Sequence, residues 1–197
     1  MTTQTEPQLA APGGGLPTIE LFVGSLFFAL RRLTGSRSSF DARMRKERDL
    51  IRALVSSCDS ESAAPRVLIS RPRGLEDSSR YWSVWMTLDH LRIVNLSIAH
   101  VIGALAKGLI PKGEVSTAAV KPSKEVTAAV VTAYEASVDA LIATVAAYPN
   151  LNTSLRYAHP WFGPLNAAGW HAIAGIHMGI HRVQIERILA GLKQENK

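Results

Sequence analysis

Apolar residues recur every three or four positions in five stretches of this chain, each bounded by Gly, Pro, Ser or Asn, which is the punctuation of helices. The first stretch, Pro17 to Leu33, is almost continuously apolar from Leu21 to Leu30. Ten residues between Glu20 and Arg31 fall short of the ~20 that span a bilayer. The pattern therefore predicts an accessory helix packed on the rest of the fold or on a partner chain. The second, about Phe40 to Ser57, carries an apolar stripe of Met44, Ile51, Leu54 and Val55, with Ser38 and Ser39 as cap candidates. Residues 59–77 read as a long loop containing Pro65, Pro72 and Gly74, in which Val67-Leu68-Ile69 lies extended against the helices.

The next helix is expected from about Ser79 to Lys107, stopped by Gly108 and Pro111, with Met86, His90, Ile93, Val94, Ser97 and Val101 facing inward. Pro122 suits the first turn of the fourth, whose buried side reads Val126, Val130, Ala133, Ser137, Leu141 and Val145 up to Pro149. Asn166 is placed to cap the fifth, which runs to about Leu192 with Trp170, Ile173, His177, His181, Gln184 and Ile188 on one stripe. The expected fold is all-α, a four-helix bundle with an extra N-terminal helix. It forms one helical domain over residues 17–197, with the bundle at about 40–193, behind a disordered, Gly- and Pro-rich tail over 1–16.

Composition adds little beyond that class. At 197 residues a single domain buries ~70% of its unfolded surface. Cys58 is the one cysteine, so an internal disulfide and a Cys-based metal site are both excluded. The tail has no basic segment before an apolar run, so a secretory signal is not expected and a cytoplasmic setting is. The net charge is +6, and residues 31–52 hold eight basic against three acidic side chains. A basic helix face needs no partner, and no recognition helix or aromatic platform accompanies it, so a nucleic-acid partner is not favoured. The apolar first helix points instead to a homodimer through residues including 17–33.

The chemistry concentrates in the histidines. His177 and His181 stand four apart, so their Cβ atoms lie ~5 to 6 Å from each other on one helix face and both rings can reach one ion. Two hydrogen-bonded core histidines would show the same spacing. Two ligands complete no zinc site, and His90, on the inward stripe of its own helix, is the best-placed third. His100 is rotated off that stripe, and His171 lies off the stripe of the last helix. Zinc-protease, phosphate-loop, nucleophile-elbow and Glu-x-x-His di-iron signatures are all missing from the sequence.

The segment Trp82 to Asn95 around His90, together with His159-Pro160-Trp161-Phe162-Gly163-Pro164-Leu165-Asn166 and then Trp170, His177, His181 and Gln184, resembles the DinB-like superfamily. The resemblance spans roughly residues 40–193 and is densest from 157 to 188. It implies a four-helix bundle in which His90, His177 and His181 hold a divalent metal, and nitrogen ligation suits zinc or nickel. Gln184 is a candidate to support the ligands, and Tyr157 and His159 are candidates for a pocket wall. Some members use bacillithiol, mycothiol or glutathione, so the resemblance implies a low-molecular-weight thiol as co-ligand and a thiol-dependent transferase or isomerase as one reading. A metal-dependent hydrolase and a noncatalytic metal- or ligand-binding protein stand as alternatives.

Overall fold

The computed structural model describes residues 6–195 and is all-α apart from two short strand pairs. The helices are α1 (Thr18–Thr34), α2 (Arg37–Ser56), α3 (Val84–Ala106), α4 (Val130–Ala147) and α5 (Ala167–Glu195). Helix α3 packs on both α4 and α5, and α5 also packs on α2, which makes the four-helix bundle. Helix α1 lies outside it against α5.

Local chemistry explains most helix ends. Ser36, not Ser38 or Ser39, caps α2, so the helix starts three residues earlier than the stripe suggested. Ser36 accepts the N–H of Ser39, while the Ser39 hydroxyl oxygen accepts the N–H of Ser36, a reciprocal box. Asn166 Oδ1 takes the Gly169 N–H at 2.9 Å, as its position predicted. Helix α3 begins at Val84 rather than Ser79, because Tyr81–Trp82 (β2) pairs antiparallel with Val67–Leu68 (β1), leaving Ser83 as the cap. Helix α4 begins at Val130 rather than near Pro122, and Ala133 faces solvent while Tyr134 and Val138 enter the core. The longer connection from 107 to 129 is thereby freed to cross the end of the bundle that carries the histidines. A second hairpin, Tyr157–His159 (β3) with Gly163–Leu165 (β4), leads into α5.

Residues 1–5 and 196–197 lie outside the described residues. From residue 6 to Pro17 the tail has no regular structure but runs beside the 66–77 loop. Ala10 N–H donates to Asp77, and Glu6 pairs with Arg66.

The basic segment is mostly turned to structural use. Arg37 donates to the carbonyls of Val145, Tyr148 and Pro149 at the end of α4, where the helix leaves acceptors unpaired. Arg48 reaches Glu135 and Asp139, and Arg52 reaches Glu135, so α2 is stitched to α4. By length and hydropathy α3 and α4 would also pass for membrane spans, as bundle core helices often do. Both carry polar groups inward: Asn95 on α3 donates to Ser137 on α4 at 3.2 Å.

Helices α2 and α5 approach closely because α5 offers glycine to α2. A Cβ on Gly175 would stand 3.0 Å from Arg43 Cγ and 3.1 Å from the Met44 nitrogen. The Gly175→Val variant is expected to lose ~1–3 kcal/mol in urea unfolding, since overpacking there has to move backbone. Gly24 of α1 is half-buried but has nothing within 4 Å of its Cβ position, and Gly24→Ala should gain up to ~1 kcal/mol.

Candidate metal centre

His90 projects from the second turn of α3, and His177 and His181 from successive turns of α5, onto one point between the two helices. One ring nitrogen of each lies within 4.8 Å of the other two. His90 Nε2 and His177 Nε2 are 3.2 Å apart. Two nitrogens each ~2.0–2.1 Å from a tetrahedral ion are ~3.3–3.4 Å apart, so this pair already has the spacing of co-ligands.

The far side of each ring decides which nitrogen is free. His90 Nδ1 donates to the Val120 carbonyl at 2.7 Å, which leaves Nε2 as the lone-pair nitrogen. Gln184 fixes His181 in the same sense. Its amide nitrogen donates to the Ser79 carbonyl at 2.7 Å, so Oε1 is the atom that faces His181 Nδ1, at 2.6 Å, and accepts its proton. His177 Nδ1 is buried with no hydrogen-bond partner among the described residues. Without an ion, His177 would donate from Nε2 to His90; to serve as a ligand through Nε2 it would carry its proton on Nδ1.

Burial keeps all three rings neutral, the form that binds a metal. Desolvation pulls His90 down to about 4, opposed by its bond to Val120. His177 and His181 are pushed well below the ordinary range, first by desolvation and then by the neighbouring imidazoles. The Trp82 ring lies parallel to His181, 6.2 Å between centroids, and closes the site behind it.

In front of the triad is a cavity of ≈ 110 Å³ open to water-sized molecules. Its apolar walls come from Leu75, Val94, Ile98, Val101, Val115 and Ile173. The α3–α4 connection and the β3–β4 hairpin bring Val120, Lys121, His159 and Trp161 to it. His159 Nδ1 accepts the Trp161 N–H at 3.2 Å, so Nε2 carries the proton of the neutral ring, and burial lowers its pKa to about 4. Tyr157 does not line the cavity. Its hydroxyl donates to the Gly113 carbonyl at 2.8 Å and holds the connection to the hairpin.

Two charged groups at the cavity carry no sequence signal, because both sit in irregular segments without periodicity. Lys121 Nζ gives its three protons to Glu76 Oε2, Ser78 and Ser79. Burial works against ionisation of Glu76, yet the nearby Thr117 hydroxyl and Lys121 ammonium hold its carboxyl below the usual range. Glu76 Oε1 is buried and makes no hydrogen bond among the described residues. The other two histidines stand apart: His100 is exposed on α3, and His171 is buried 3.0 Å from Asp41 between α5 and α2.

No family model and no curated protein sequence matches the chain. Its fold is similar to the crystal structure of TT2238, a four-helix bundle protein, with a TM-score of 0.55 and 19% identity. The match covers 77% of this chain and 98% of that one. Likeness at that identity establishes the bundle and leaves the chemistry to the site.

Proposed function

We propose that this chain is a divalent-metal-binding bundle of the DinB-like kind, serving a thiol-dependent transfer or isomerisation. The observation that carries the reading is the convergence of His90, His177 and His181, with the lone pairs of His90 and His181 turned inward by Val120 and by Gln184. Nitrogen ligands of this type suit zinc or nickel. A dipositive ion held by three neutral imidazoles acidifies a thiol or a water that reaches it.

The chain's own groups favour the thiol. Cys58 cannot serve, since its thiol donates to the Leu54 carbonyl at 3.3 Å, burial raises its pKa, and it lines no part of the cavity. A small molecule would bring the sulfur. The apolar walls accept its body. A hydrolytic site would need a general base beside the ion, and the carboxylate at the cavity, Glu76, is held through Oε2 by the Lys121 ammonium, which lowers its basicity.

Titration of the cobalt-substituted protein with those three thiols tests the reading. A thiolate-to-cobalt charge-transfer band at one thiol per chain is expected, with thiol-dependent turnover of electrophilic test substrates. No band and no such turnover, alongside measurable ester or amide hydrolysis, would favour the hydrolase. A bound ion with neither activity would leave a metal- or ligand-binding protein.

A further inference from the structure

The outer face of α1 is the largest apolar surface without a partner among the described residues. Ile19 is 80% exposed, Phe22 70%, Leu26 65% and Leu33 85%, with Leu30, Val23 and Phe27 beside them. At ~100° per residue these fall on one stripe, and Phe28 lies on the opposite side. Phe28 is the anchor: it is 3% exposed and its ring sits 4.7 Å from Phe162. Glu20 holds the other end of the inner face through Arg71 and the Gly74 N–H. The helix is thus anchored to the body by Phe28 and Glu20 on its inner side and turns its wider apolar face outward, the reverse of a surface helix in a monomer.

The spacing of the stripe says what covers it. Ile19 and Leu33 are each seven residues from Leu26, and Phe22 and Leu30 are each four from it. These five positions are symmetric about Leu26, and such a set is self-complementary when a second copy lies antiparallel across a two-fold axis there. Ile19 then meets the partner's Leu33, Phe22 meets the partner's Leu30, and Leu26 meets its own equivalent. The same orientation sets the end bearing Arg31 and Arg32 beside the partner's helix N-terminus, so the two helix dipoles oppose.

Area agrees. Taking ~200 Å² for a large apolar side chain, the seven residues expose on the order of 900 Å² per chain. That exceeds the few hundred Å² typical of a monomer's surface and matches the ~800 Å² per partner of a standard interface. We infer that two copies of this chain pair through antiparallel α1 helices centred on Leu26. The pairing is independent of the chemistry at the histidines. Within each chain α1 reaches toward the cavity, since Phe162, on which Phe28 rests, stacks on His159 at 4.9 Å.

Sedimentation of the full chain at tens of micromolar should give a dimer, and Leu26→Asp should give a folded monomer by circular dichroism with its metal content unchanged. In a Cys58→Ser background, mild oxidation should cross-link Leu26→Cys to itself. It should also cross-link Ile19→Cys to Leu33→Cys in a mixture of the two variants, while Ile19→Cys alone stays uncoupled. Self-coupling of Ile19→Cys would overturn the antiparallel arrangement. A monomeric parent that pellets with vesicles of phosphatidylcholine and phosphatidylglycerol would overturn the dimer and make the stripe a membrane face. A dimer that survives Leu26→Asp would place the interface elsewhere.

Discussion

A His177→Ala, His181→Ala double variant is expected to purify without its divalent ion, where the parent, freed of any affinity tag, retains one per chain. The loss should be complete because both ligands from α5 go at once, and one imidazole does not hold zinc or nickel against solvent. Elemental analysis of both proteins decides it, and equal content in the two would sink the metal reading in favour of a hydrogen-bonded His90–His177 pair. A graded variant tests the supporting shell. Gln184→Leu keeps all three ligands but removes the acceptor from His181 Nδ1 and the anchor on the Ser79 carbonyl. Metal affinity should fall ~10- to 100-fold in that protein, with the helix intact.

The chelated, metal-free protein is expected to collapse in mild acid. Its buried imidazoles are neutral when folded, with His90 and His159 drawn down to about 4, whereas in the unfolded chain they take a proton near 6.5. Their contribution is fully present above pH 6.5 and is lost as the pH falls toward 4. At pH 5 each of these two accounts for ~2 kcal/mol of lost stability, and His177 and His181, lowered further by the same desolvation, add to it. A domain with ~5–15 kcal/mol to lose should therefore be largely unfolded at pH 5 while stable at pH 7.5. Urea unfolding across that range measures the slope. His159→Gln should flatten it by about the share of one histidine, and a stability independent of pH would show that water reaches these rings.

The candidate site was half written in the sequence. Helical periodicity alone puts His177, His181 and Gln184 on one face, since residues four and three apart share a side of any helix. It also puts His90 on the inward stripe of α3. What periodicity cannot supply is the register of α3 against α5, and only packing brings His90 Nε2 to 3.2 Å from His177. Gln184 was legible as a neighbour of the pair, but its orientation depends on the Ser79 carbonyl, 105 residues earlier in the chain. Glu76, Lys121 and the Val120 carbonyl had no signature at all. They lie in turns whose path is set by what they cross rather than by their own residues.

The bundle itself was legible because its cause is local and repetitive: stripes of Leu, Ile and Val at helical spacing can be buried only against one another. Where the boundaries differ, a longer-range contact outweighed the local signal. Pairing of Tyr81–Trp82 with Val67–Leu68 delays α3, and the crossing of 107–129 over the histidines delays α4. Sequence alone also showed α1 to be apolar. Its direction was decided by Phe28, Glu20 and their partners in the fold, because a helix apolar on most of its circumference can bury either side, and the anchors it finds leave the other side outward. Thus helix number, the apolar faces and the His pair follow from periodicity, a property of neighbours along the chain. The convergence of three imidazoles, their free nitrogens and the outward stripe follow from contacts between residues far apart in sequence, which only the packed structure makes.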